Sequence, residues 1–115
     1  MLRFSVSITK NSDFRRLYAK GKSAVSPLMA LYCRKNGSSV NRLGITVSGK
    51  LGNAVARNRI RRRLKEIYRL NEASLSPGYD IVLVARMKSR LAGYSELNKD
   101  FLRLSQKLGF YGAAK

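Results

Sequence analysis

The 115-residue chain carries 24 Lys and Arg against 6 Asp and Glu, a formal charge of +18, with 44% apolar residues and no histidine. That length suits one domain, residues 1–115, with one ordinary core and little room for a second. A single cysteine, Cys33, excludes an internal disulfide framework, no run is apolar enough to span a bilayer, and MLRFSVSITKNSDF lacks a signal-peptide h-region, so a soluble chain in the reducing cytoplasm is expected.

Asn11 or Ser12 is positioned to cap a first helix that runs to about Lys20. Phe14, Leu17 and Tyr18 fall on one face of it, and Gly21 closes it. LMALYCR, residues 28–34, reads as a strand, and KNGSSVN as a turn tightest at Asn36-Gly37. LGITVS, residues 43–48, reads as a second strand, with Leu43, Ile45 and Val47 facing one way and Gly44, Thr46 and Ser48 the other. The two strands suggest an antiparallel hairpin. GKLGN leads into the longest helical segment, about Ala54 to Asn71. After the turn at Ser76-Pro77-Gly78, IVLVA is a continuous apolar run, as expected of a strand covered on both faces. Leu97, Phe101, Leu104 and Leu108 place a last helix from Tyr94 or Ser95 to a stop at Gly109, followed by a loose tail from about residue 110. This order predicts a small two-layer α/β sandwich, with three helices on a mixed sheet of three to four strands.

On a wheel of ~100° per residue, Ala56, Ile60, Leu64 and Ile67 of the long helix form one stripe. Asn58, Arg62, Lys65 and Arg69 lie nearly opposite, with Arg61 alongside, while Arg57 and Arg63 flank the apolar stripe. Only Glu66 offers an acid on this helix, so like-charge neighbours recur at unfavourable spacing. A polyanion compensates such repulsion, and Arg suits phosphate because its planar fork binds two oxygens at once. The helix N-terminus favours phosphate too, and Lys50 just before it could reach the same anion. A solvated basic face, a localisation signal or a membrane-surface helix are the competing readings of these residues alone, and composition does not separate RNA from DNA.

From Gly44 to Lys65 the chain reads GITVSGKLGNAVARNRIRRRLK. This run resembles the signature of the bacterial ribonuclease P protein family. That signature is a VS strand end, a basic residue, GNAV, and then RN-R-x-(K/R)-R-x-x-(K/R). Lys50, Gly52, Asn53, Ala54, Val55, Arg57, Asn58, Arg59, Arg61, Arg62 and Lys65 all match it. NSDFRRLYAKG is similar to the family's first helix, Tyr32 falls where the family has a tyrosine, and IVLVAR followed by a helix is similar as well; the likeness covers about Lys10 to Leu108. Two positions depart from the pattern. Gly49 stands where relatives often carry a second lysine, and Tyr18 where they often carry Phe.

The resemblance implies a left-handed β-α-β crossover, where handedness rules alone favour a right-handed one. It implies a protein subunit of ribonuclease P that works beside a large catalytic RNA with bound Mg²⁺, one protein per RNA. Such a subunit also contacts the 5′ leader of precursor tRNA. It places Lys50, Asn53, Arg57, Asn58, Arg59, Arg61, Arg62 and Lys65 toward the catalytic RNA, a surface that Arg69 joins by its place on the helical wheel, and Phe14, Tyr18 and Tyr32 in a leader cleft between first helix and sheet. Aromatic faces accept any base, which suits a protein that meets many leaders. The plain alternative is that Phe14 and Tyr18 pack the helix onto the sheet.

Cleavage by the chain itself is not expected. It has no histidine, and Asp13, Glu66, Glu72, Asp80, Glu96 and Asp100 are scattered apart from the helical pair Glu96 and Asp100, which Lys99, Arg103 and Lys107 surround. No protein-bound cofactor or metal is expected. An RNA-binding scaffold of ribosomal type is the rival reading, and the GNAVARNRIRRR run is what favours ribonuclease P over it.

Overall fold

The computed structural model describes residues 5–112. Residues 1–4, which begin the stretch read for a signal sequence, and 113–115, the last of the expected tail, lie outside them. In chain order the elements are β1 (Ser5–Ser7), α1 (Asn11–Lys20), β2 (Lys22–Val25), β3 (Met29–Lys35), β4 (Asn41–Thr46), α2 (Ala54–Asn71), β5 (Tyr79–Ala85) and α3 (Tyr94–Leu108). Short 3₁₀ turns at Gly49–Leu51, Glu72–Ser74 and Met87–Arg90 link them.

The sheet has five strands in the order β1-β4-β5-β3-β2, one more than the expected upper count. β1 and β2 escape sequence reading because SVS and KSAV are short and mostly exposed. β4 runs parallel to both β1 and β5, whereas β3 is antiparallel to β5 and to β2. The expected hairpin between β3 and β4 is therefore absent: β5 lies between them, and α2 is the crossover from β4 to its parallel neighbour β5. The burial of β5 explains this arrangement. Ile81, Val82 and Leu83 are fully buried, so β5 needs sheet neighbours on both edges and cover on both faces.

Alternation sorts those faces. Leu31, Cys33, Leu43, Ile81 and Leu83 join the main core, which α2 fills with Ile60, Leu64, Ile67 and Tyr68, and α3 with Leu97, Phe101 and Leu104. On the opposite face a smaller cluster of Ile8, Leu17 and Val82 takes α1, with Phe14, Tyr32 and Val84 packed against it. The helices therefore flank the sheet on both sides.

Local chemistry sets the helix ends. Asn53 caps α2, its Oδ1 accepting from the Ala56 N–H at 2.9 Å. The cap position of α1 falls on Lys10, which gives no side-chain cap bond, rather than on Asn11 or Ser12. Gly109 ends α3 in the left-handed region at φ 89. The chain beyond it is not loose at its start. Phe110 is fully buried in the main core, Ser76 N–H donates to its carbonyl at 2.7 Å, and Tyr111 bridges to Leu75.

Candidate nucleic-acid interface

α2 presents the basic surface because its other side is anchored. Tyr68 extends the predicted apolar stripe, its ring edge-on to Phe101 at 6.3 Å and its hydroxyl paired with Ser5 at 2.8 Å. Burial and a nearby carboxylate, Glu72, push the Tyr68 phenol up to about 12 against the opposing hydrogen bonds from Ser5 and Asn41, with burial the largest effect. Asn58, Arg59, Arg62 and Lys65 stand exposed, and Arg61 is half-buried with Nη1 donating to Asn58 Oδ1 at 3.3 Å.

Not every predicted contact is equally available. Arg69 donates to both Glu66 oxygens, at 3.0 and 2.6 Å, and these bonds raise its own pKa while lowering that of Glu66. Arg63, a flanking residue, donates to the Ala92 carbonyl at 3.2 Å and so braces the turn before α3. Asn53 is engaged in the cap. Arg57 is half-buried, and its Nε is enclosed with no hydrogen-bond partner; a buried donor left unpaired is unfavourable and would gain from an acceptor. Lys50 is exposed in the turn before α2, in a pocket of about 410 Å³ that also holds Arg86 and Lys88. The basic run ARMKSR, outside the expected surface, is the sequence signal for these two.

The predicted aromatics converge. Phe14 and Tyr18 have ring centroids 6.5 Å apart, and Tyr18 meets Tyr32 edge-on at 4.9 Å. The Tyr18 hydroxyl pairs with Thr46 Oγ1 at 2.9 Å, tying α1 to β4. Phe14 and Tyr32 also pack on the small cluster, so the packing role is real. Phe14 and Tyr32 are nonetheless only half-buried and Tyr18 is 40% exposed, so the cluster reaches the surface.

Gly44 is what lets Phe14 lie so close to the sheet. A Cβ at Gly44 would fall 2.5 Å from Phe14 Cε1 and 2.7 Å from Cζ. Beyond the end of β1 the same spot opens into a pocket of about 170 Å³, where Arg61 and Lys65 of α2 join Phe14, Gly44 and Ile45. The family resemblance implies separate partners for these cations and this ring; the fold brings them to one pocket.

Below the aromatics, Arg42 clamps two acids. Its Nε and Nη2 donate to Asp80 at 2.8 and 2.5 Å, and its Nη1 to Asp13 at 3.2 Å. Asp13 precedes Phe14, so this clamp fixes where α1 crosses the sheet. Burial works against the charge on Asp80, but the bonds from Arg42 and Asn36 and the Arg42 charge together hold its carboxyl below the usual range.

The acids of α3 serve structure. Glu96 accepts from the Gly93 N–H at 3.1 Å, and Asp100 accepts from Arg103 at 2.8 Å and from Ser26. Among the described residues no three His, Cys, Asp or Glu side chains gather as a metal site would require.

A family profile described as Ribonuclease P matches residues 2–109. The chain is 44% identical over 101 residues to a ribonuclease P protein component of Clostridioides difficile (strain 630), covering 87% of this chain and 89% of that one. It is 43% identical over 105 residues to one from Clostridium botulinum (strain Langeland), covering 90% and 95%. Its fold is similar to a Staphylococcus aureus RNase P protein, with TM-score 0.85 and 30% identity over 93% of this chain and 98% of that one. The Thermotoga maritima RNase P protein superposes with TM-score 0.80 and 30% identity over 88% and 96%.

Proposed function

Because the chain belongs to the ribonuclease P protein family, we propose that it serves as the protein subunit of that ribonucleoprotein, promoting removal of the 5′ leader from precursor tRNA. The observation that carries this reading is the pocket at Gly44 that Arg61 and Lys65 of α2 share with Phe14, the first ring of the aromatic cluster. A ribosomal scaffold needs no such pairing of cations with a surface aromatic cluster.

Exposed Arg59, Arg62 and Lys65, with Asn58, Arg61 and the underused Arg57, bind phosphates of the catalytic RNA. Lys50 extends that surface. The leader runs over the aromatics, each stacked base contributing ~1–3 kcal/mol with little sequence preference. Catalytic RNA and precursor tRNA repel each other, and a +18 protein between them lowers that repulsion. Mature tRNA lacks the leader, makes fewer contacts and departs more readily. Bond cleavage belongs to the RNA with its Mg²⁺, one protein serving each RNA in the cytoplasm. If ~5–8 phosphates are neutralised, the log-log salt slope is roughly −0.7 to −0.9 per phosphate.

Reconstitution tests the assignment. The purified chain is added to the ribonuclease P RNA of the same cell at low Mg²⁺, and precursor tRNA cleavage is timed. A clear gain over RNA alone is expected; no gain rejects the assignment, and cleavage by the chain without RNA rejects an RNA catalyst.

A further inference from the structure

A second cationic pocket lies away from both surfaces just described. It sits where β2 begins and β3 ends, encloses about 230 Å³, and is lined by Lys20, Lys22, Arg34 and Lys35 over Cys33 and Tyr79. In register, Lys22 lies opposite Cys33 and Lys35 opposite Tyr79. Paired residues share a face, and Cys33 belongs to the main core, so Lys22 and Lys35 stand on the α3 side of the sheet, while Lys20, at the end of α1, and Arg34, paired with Asp80, reach the pocket from its rim. The aromatic cluster is on the other side, and the wall with Arg61 and Lys65 is at β4, three places along the strand order from β2.

No carboxylate lines this pocket. Arg34 sits directly opposite Asp80 in the sheet and, with Lys35, also borders the pocket of Asp13 and Asp80, but Arg42 binds both of those acids and Asn36 donates to Asp80. The ion pairs among the described residues use Arg16, Arg42, Arg69 and Arg103, and none of the four pocket cations. The Cys33 thiol is pushed up chiefly by burial, while the charge of Lys22 pulls it down, which puts that ammonium near the pocket floor. Converging like charges without a counter-ion are unfavourable. The space is smaller than the ~300–1,000 Å³ of ordinary organic-ligand pockets, and one tetrahedral oxyanion fits it. Lysine ammonium groups lining such a space, with Arg34 at its rim, are donors suited to phosphate.

We propose that this pocket is a second phosphate site, filled by a backbone phosphate of RNA on the side of the protein remote from the aromatic cluster. Naming RNA as the source rests on the function proposed above.

Two arms on the full-length chain test it. In the first, inorganic phosphate is titrated into ¹⁵N-labelled protein, and saturable amide shifts are expected at Lys22, Cys33, Lys35 and Tyr79. Lys22→Gln with Lys35→Gln should abolish them, while Arg62→Gln with Lys65→Gln leaves them intact. In the second, the salt dependence of binding is compared between wild type and the Lys22→Gln/Lys35→Gln variant, for catalytic RNA and for precursor tRNA on the holoenzyme. One of the two log-log slopes should become shallower by roughly 0.7–0.9, the loss of one phosphate. Both lysines are exposed, and an unchanged melting temperature verifies the fold. Absence of local shifts overturns the proposal. Local shifts with both slopes unchanged overturn it as well, since the site then takes free phosphate and not RNA. Failure of the proposed function is read separately, on cleavage in the reconstitution.

Discussion

Gly44→Ala is a small change with a large expected effect. The added Cβ would sit 2.5 Å from Phe14 Cε1, whereas carbon atoms pack best at about 3.5–4.0 Å. The ring, or α1 with it, must retreat by about 1 Å. Overpacking of this kind costs about 1–3 kcal/mol. Replacing Gly by Ala inside a strand returns about 0.5–1 kcal/mol, which leaves a net loss near 1–2 kcal/mol. For a domain of this size that lowers the melting temperature by about 4–8 °C. The displaced ring should also weaken the preference for precursor over mature tRNA, because Phe14 and Tyr18 move together. Thermal melts and competitive cleavage of the two RNAs measure both effects. A double-mutant cycle with Phe14→Leu identifies the cause, since a smaller, more flexible side chain relieves the clash and the two changes should be far from additive. Additive losses, or an unaltered melting temperature, would refute the reasoning.

Reversing Arg62 and Lys65 to Glu should weaken association with catalytic RNA by several kcal/mol, because like charge replaces phosphate contacts; filter binding would show unchanged affinity if this face were not used. Phe14→Ala with Tyr32→Ala should reduce discrimination between precursor and mature tRNA while sparing holoenzyme assembly, and equal loss for both substrates would point to core damage instead. Phe110→Ala should lower stability by about 3–5 kcal/mol by urea titration, an effect a loose tail would not give. Acid should destabilise the fold through Asp80, whose folded pKa is depressed. Its contribution is present above the unfolded carboxylate range near 3.9 and is lost as pH falls through the lower folded value. Arg42→Met should flatten that part of the stability profile, and urea midpoints from pH 5 to 2 check it.

Much of this architecture is legible in the chain because its signals are local. An 18-residue periodic stripe with Asn53 before it and few breakers within it places α2 at Ala54–Asn71. The same periodicity and Gly109 place α3, and strict alternation assigns the two faces of β4. The sheet order is a different kind of information. Whether β3 meets β4 or β5 depends on burying IVLVA from both edges, which no neighbouring residue announces. β1 and β2 are too short for a pattern, and Phe110 looks like tail because the core that receives it is built from distant segments. At the candidate site, the residue types and their helix faces are visible in GNAVARNRIRRRLK. That Arg61 and Lys65 border one pocket with Phe14 is not, because Gly44, on a third element, makes the junction.

The position of β5 governs how the molecule is assembled. Both of its neighbours precede it in the chain, Tyr32 pairing with Val82 and Leu43 with Ile81. During synthesis the earlier strands emerge with no shared centre, and the sheet closes only when the last-made strand slides between them. Such distant pairing slows folding and makes it nearly all-or-none. A chain cut before Tyr79 would keep the whole arginine helix yet have nothing to hold it against, so a truncated subunit would carry the cations without the shape that aims them.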